Sequence, residues 1–317
     1  MPARDHIGLA GPDYQVDIER GKIREFARAM NAPLGDFLDG PAPVVPATFF
    51  VSAPYTWGYA LERPRGTAFA QIDEDLSVPL HAEEEFRFTG PLPRAGERLT
   101  ARAVLEDVRE KSGRSGGKLT FLTMLTEYRD RNGRVVVEQR STTVTTARNP
   151  GDGDWVAETP DYVPAYQGLD PGDPFTDIAR AGWDDLVEGE GPGTINTGPL
   201  MLGDIVRFQG VVGEDNPLHS DVPWAHANGY PTVFGLGMHQ ASVLAAYAAH
   251  WIDPSTVRRF RARFRNVYWP GDSMIYAGQV KSLSSENGGR RIAELLLSCT
   301  RQDGSTLVDV DMTCDLS

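Results

Sequence analysis

At 317 residues, with 40% hydrophobic and 24% charged residues, the chain has the make-up of a folded globular protein of two domains or one large one, not of a disordered or membrane protein. Its formal net charge of −13 argues against non-specific nucleic-acid binding. The longest apolar run, Ser242 to Ile252, is too short to span a bilayer, and no basic start followed by an apolar run marks a secretory signal, so a cytoplasmic location is expected.

In chain order, "GKIREF" (Gly21 to Phe26) predicts a short helix, followed by a turn-rich loop with Pro33-Leu34. A longer helix is expected before the strands; in the aromatic stretch "PATFFVSAPYTWGYAL", Phe49, Phe50, Tyr55, Trp57 and Tyr59 read either as core or as the lining of a channel. "FTGPLPRAGERL" (Phe88 to Leu99) and "YRDRNGRVVVE" (Tyr128 to Glu138) read as turns between strands, the second a β-hairpin. Residues 149–198 carry eleven acids against the single base Arg180, which is −10 of the −13. Rich in Pro and Gly, this stretch reads as a connection over the surface, pinned by Trp155, Tyr162, Tyr166, Phe175 and Trp183.

The landmarks then return in the same order. "GDIVRF" (Gly203 to Phe208) matches "GKIREF", Pro217-Leu218 matches Pro33-Leu34, "FRNVYWPGDSM" follows the pattern of Phe88 to Leu99, and "TRQDGSTLVDV" gives a second hairpin. Between them, Met238 to Trp251 is apolar nearly all round and should be a buried helix. Cys299 and Cys314 sit in alternating segments and read as buried thiols. A duplicated α+β unit follows: a double hotdog, two repeats in one chain, each a long buried helix wrapped by a curved antiparallel sheet. The expected boundaries are 1–148, an acidic connection 149–198, and 199–317. The two repeats should share one continuous sheet, since each alone would leave an unpaired edge.

The stretch "GEDNPLH" (Gly213 to His219) resembles the DxNPxH signature of the MaoC-like dehydratases, the (R)-specific enoyl-CoA hydratase family. "RFRARFRNVYWPGD" (Arg259 to Asp272) resembles that family's strand and Pro-Gly-Asp turn, and "KIREFARAM" with "HAEEEFRFTGPLPRAGERL" resembles its N-terminal dehydratase-like domain. The implied activity is reversible hydration of a 2-enoyl thioester to the (R)-3-hydroxyacyl form. Such chemistry needs a held water, an acid and a base, and donors for the thioester oxygen. The resemblance makes Glu214 and His219 the grip on the water, Asn216 their orienting residue, and the Gly237 amide at the helix start the oxyanion donor. Leu236 stands where the family more often has His.

One departure matters. Counting back from His219, the acid of the signature falls on Glu214, one methylene longer than Asp, while Asp215 occupies the variable position. Either Glu214 works with a retracted backbone, or Asp215 takes over, or the site only binds. Asp215, Met238 and His239 are expected beside the substrate. Arg261 and Arg263 share a strand face with Arg259, either to meet phosphates of CoA or of an acyl carrier protein or as an ion-paired face; "REKSGRSGGK" (Arg109 to Lys118) is a second basic patch. The first half has "MNAPLGDF" (Met30 to Phe37) at the corresponding loop, with no base, so activity is expected in the second half. In two-domain members the half without the signature accommodates the acyl chain. The resemblance implies no metal or redox cofactor, a CoA or carrier-protein thioester as the only partner besides a second copy in a homodimer, and neither nucleic acid nor membrane. An acyl thioesterase, or a non-catalytic thioester-binding subunit, are the competing readings.

Overall fold

The computed structural model describes residues 3–74, 76, 79–113, 117–146, 173–285 and 289–317. The first half runs β1 (Tyr14–Asp17), α1 (Arg20–Ala29), α2 (Leu34–Leu38), a 3-10 turn at Phe49–Ser52, α3 (Ala53–Thr56), β2 (Leu80–Phe88), β3 (Arg98–Ser112), β4 (Lys118–Arg129) and β5 (Val135–Thr146). The second runs β6 (Ile195–Thr197), α4 (Leu202–Val212), α5 (Val222–Ala227), α6 (Gly237–Trp251), β7 (Val257–Phe264), β8 (Met274–Ser285), β9 (Arg291–Arg301) and β10 (Thr306–Asp315). The strands form one sheet of ten in the order β1-β3-β4-β5-β2-β7-β10-β9-β8-β6, so the two repeats join edge to edge at β2 and β7. The double hotdog and its continuous sheet are as expected from the sequence.

The repeated Gly-Ile-Phe pattern proves to be a buried stripe. Ile23 and Phe26 on α1, like Ile205 and Phe208 on α4, lie three residues apart and face inward, and the Phe26 and Phe208 rings meet at 5.8 Å. The two short helices thereby brace the halves against each other.

The seam explains the row of arginines. In the β2–β7 register Phe86 lies opposite Phe260, both wholly buried, while Glu83, Glu85 and Arg87 face Arg263, Arg261 and Arg259 on the other side of the sheet. Arg259 Nε donates to Glu85 Oε1 at 2.6 Å, Arg261 Nη2 to Glu83 Oε2 at 2.7 Å, and Arg263 Nη1 to Asp311 Oδ2 at 2.8 Å. Cross-strand pairs of opposite charge select this register over a slipped one, because a shift of one residue would put the carboxylates against the apolar face.

α6 is buried on every side, and its alanines let the inner faces of β8, β9 and β10 close around it. Two of its polar side chains find partners: the Tyr276 hydroxyl donates to Gln240 Oε1 at 2.6 Å, although Gln240 Nε2 is buried without one, and the Thr48 hydroxyl of the first half donates to Ser242 Oγ at 2.9 Å. The first repeat departs from the expected symmetry. Where a second long helix was expected, only the turn Phe49–Ser52 and α3 form, because Pro54 removes an amide and Gly58 follows closely. Phe49 and Phe50 are core and Trp57 is partly buried against it, whereas Tyr55 and Tyr59 line a cavity that runs over Thr126 of β4 and Gln139, Ser141 and Thr143 of β5, where no long helix lies among the described residues.

Of the acidic connection, Trp155, Tyr162 and Tyr166 lie outside the described residues, as do residues 114–116 of the basic hairpin. Phe175 is fully buried against Tyr247 and Tyr276, with ring centroids at 5.6 and 5.5 Å, and Trp183 carries the Arg291 guanidinium over its ring at 5.8 Å. Cys299 and Cys314 are buried free thiols. Among the described residues no helix is long and apolar enough to cross a membrane.

Candidate active site

α4 ends at Gly213, whose φ of 80° lies in the left-handed region and turns the chain sharply back. Asn216 then caps the single turn Pro217–His219: its Oδ1 accepts the Leu218 amide at 3.1 Å, while its own carbonyl accepts Gln209 Nε2 at 2.9 Å. Pro217 at the first position of the turn needs no donor of its own. Asn216 thus works through the shape of the turn that carries His219.

His219 is buried, and its Nδ1 lies 2.7 Å from the Phe234 carbonyl. A carbonyl can only accept, so Nδ1 holds the proton and Nε2 presents a lone pair. Burial pushes the imidazole down to about 4, against the bond to Phe234, so the ring is neutral at physiological pH. Its Nε2 faces Glu214 Oε2 at 3.6 Å, too far for a direct hydrogen bond. Glu214 Oε1 accepts the Asn216 amide at 2.6 Å, whereas Oε2 is buried without a hydrogen-bond partner. Burial raises Glu214 to about 7, reinforced by the nearby Glu62 carboxylate and opposed by the Asn216 amide.

Gly237 opens α6 behind this pair, where its amide has no intrahelical acceptor. A Cβ there would come within 2.6 Å of the Phe264 ring, so only glycine leaves Phe264 in place and the helix end open. Glu214, Asn216, His219, Gly237 and Met238 line one cavity of about 670 Å3, which continues under the uncovered strands of the first repeat past Tyr55, Tyr59, Glu62, His81 and Glu84.

The structure brings Glu214, not Asp215, to His219. Asp215 lines the mouth of the cavity with a largely exposed side chain that pairs with Arg63. Asp215→Asn should therefore leave kcat/KM within about fivefold of the parent, the range of an exposed ion pair, as steady-state rates will show. His239 lies outside the cavity wall: its Nδ1 meets the Tyr268 hydroxyl at 3.0 Å, its ring stacks on Phe208 at 4.7 Å, and burial lowers it to about 3. Arg261 and Arg263, expected at the carrier, are held in the seam instead and do not line the cavity. In the first half, Asp36 is ion-paired with Arg180, away from the site. Sequence reasoning missed Glu62, Arg63, His81 and Glu84. The one available signal was the polar alternation Gln139, Ser141, Thr143 in β5, on a face that ought to have been apolar.

Comparison with known proteins matches both halves of the chain. The family described as "FAS1-like, dehydratase domain region" matches residues 5–139, and that described as "MaoC like domain" matches residues 186–293. The enoyl-CoA hydratase ChsH3 of Mycobacterium tuberculosis is 26% identical over 263 residues, covering 80% of this chain and 77% of that one. A solved MaoC-like dehydratase superposes with a TM-score of 0.77 at 24% identity, covering 99% of this chain and 100% of the other. An M. tuberculosis protein described as having a double hotdog fold superposes with a TM-score of 0.57 at 17% identity, over 98% of this chain and 96% of its own. With residues 5–139 and 186–293 matched in order by these two models, the chain belongs to the MaoC-like double-hotdog family.

Proposed function

We propose that the protein adds water to the double bond of a 2-enoyl-CoA to form the 3-hydroxyacyl-CoA, and catalyses the reverse dehydration. The observation that carries this reading is the pair of atoms Glu214 Oε2 and His219 Nε2, both acceptors, 3.6 Å apart at the wall of a cavity that also receives the start of α6. A water seated off the line between them donates one hydrogen to each. His219 stays neutral and holds the water; Glu214, raised to about 7, is the group whose proton moves near neutral pH. As the water oxygen bonds C3, its proton passes to Glu214 and the π electrons of the C2–C3 bond shift onto the thioester oxygen. That charge is met by the Gly237 amide and the positive end of the α6 dipole. Glu214 then returns the proton to C2, and the thioester carbonyl re-forms. The likeness of Gly213 to His219 to the signature of (R)-specific hydratases supports (R) configuration at C3.

The test is loss of the conjugated double bond across a panel of trans-2-enoyl-CoAs. Release of free CoA from saturated acyl-CoA would favour a thioesterase, and tight binding with neither reaction a non-catalytic subunit. The proton assignment gives a separate expectation. Water activation needs Glu214 ionised in the free enzyme, so kcat/KM for hydration should rise with pH through about 7 and level off above it. A profile with its limb near 4 would give the role to His219 instead.

A further inference from the structure

The two repeats supply an internal control for the cavity. In the second repeat the inner face of β10 is Val308, Val310, Met312 and Cys314, packed beneath α6. The corresponding face of β5 begins with Val137 but continues as Gln139, Ser141 and Thr143, and the neighbouring β2 adds His81 and Glu84, opposite Thr143 and Ser141. A hotdog sheet face that should be apolar is polar at the place where its helix is missing.

These groups are organised. The Tyr128 hydroxyl donates to Gln139 Oε1 at 2.5 Å, Gln139 Nε2 donates to Glu84 Oε1 at 2.6 Å, and Glu84 Oε2 lies 2.8 Å from His81 Nε2. Glu84 is wholly buried and Gln139 is 3% exposed, so the row is a fixed floor rather than a solvated surface. Thr143 hydrogen-bonds Glu62, and Ser141 Oγ sits 3.4 Å from His81 Nε2. Pairing among themselves uses only part of the hydrogen-bonding capacity of Ser141 Oγ and of the Glu62 carboxylate; both can still bond a ligand, a capacity that an unbranched hydrocarbon chain cannot use. Apolar side chains, among them Leu119, Phe121 and Val144, line much of the remaining wall. The His81 ring packs tilted against Phe264 with centroids at 4.6 Å, and Phe264 is the ring against Gly237, so the polar floor begins one ring's width beyond the proposed oxyanion position.

Building on the hydratase reading, we propose that this floor is a recognition subsite for a hydroxyl group carried on an otherwise apolar acyl chain. The preferred substrate is then a hydroxylated enoyl thioester, not a plain aliphatic one. A hydroxyl fits because it both donates and accepts: it can give its hydrogen to the Glu62 carboxylate and receive one from Ser141 or Tyr55, all of which line the cavity. A site that can hydrogen-bond a hydroxyl also discriminates against the analogue that lacks one, because that chain displaces water from Ser141 and Glu62 without replacing its hydrogen bonds.

The experiment measures equilibrium binding of saturated acyl-CoAs, each paired with isomers of the same length bearing one hydroxyl at successive positions from C5 outward, and turnover of the matching 2-enoyl-CoAs. At least one hydroxylated isomer should bind about tenfold or more tightly than its parent chain, the ratio expected of a hydrogen bond to a charged acceptor. In Ser141→Ala and Glu62→Gln, checked for folding by circular dichroism, that ratio should fall towards one. Ratios near one for every isomer, or a preference unchanged in both variants, overturn the subsite. The two readings fail separately: hydration of both series without preference removes the subsite and keeps the hydratase, whereas a preference in binding without hydration keeps the subsite and removes the hydratase.

Discussion

Glu214→Gln is expected to lose turnover by roughly 10²-fold or more while becoming more stable above neutral pH. The loss follows from the role proposed for Oε2, since an amide can neither take the proton of the water nor return it to C2. The gain follows from burial. The folded-state value of Glu214, about 7, lies above its ordinary 4.5, so its contribution to stability is fully present below about 4.5 and lost as pH rises through about 7, where a buried carboxylate remains. Glutamine has no charge to strand there. Urea unfolding should show the variant close to the parent at pH 5 and more stable by about 2–3 kcal/mol at pH 8. His219→Ala should be equally inactive, whereas Glu214→Asp, which restores the acid of the family signature, should retain or raise activity. A Gln variant that hydrates enoyl-CoA like the parent removes Glu214 from the chemistry; one that is dead and also less stable at pH 8 traces the loss to folding.

Phe260→Ala should be the most damaging change away from the site. Phe260 and Phe86 face each other at zero exposure across the seam, where the two repeats become one sheet. Truncating such a ring leaves a cavity between strands that are held from both sides and cannot collapse, at a cost of about 3–5 kcal/mol. Because that contact belongs to both halves, far-UV circular dichroism and tryptophan fluorescence should report one shared transition at a lower urea concentration. On the opposite face, Arg261→Ala removes a half-exposed partner of Glu83 and should cost at most about 1 kcal/mol. If the two variants prove equally stable, the seam is held by charge rather than by packing.

Much of the architecture could be read from residue order. Periodicity of 3.6 marked α1, α4 and α6 and period-2 alternation marked the long strands, because both patterns record locally which side of an element is buried. The signature from Glu214 to His219 was legible for a related reason: turn, cap and the proposed acid–base groups lie within six residues, so the spacing carries the geometry. Even the shortness of the first repeat's helix had a local sign in Pro54.

What periodicity does not record is the partner on the buried side. The arginine row was visible in the sequence, but its partners Glu83 and Glu85 come from more than 170 residues earlier and were brought to it only by the β2–β7 register. His239, two residues beyond Gly237, was turned away from the site to Tyr268 by the rotation of α6, while His81 and Glu62 of the first repeat were turned towards it. The sequence by itself determined the two repeats, their elements and the acid, turn and histidine of the site, since each depends on neighbours within a few residues. Only the tertiary structure decided that Glu214 rather than Asp215 meets His219, that burial holds one near 7 and the other near 4, and that the missing helix opens a polar-floored cavity, because desolvation and cross-repeat contact depend on what the rest of the chain places alongside.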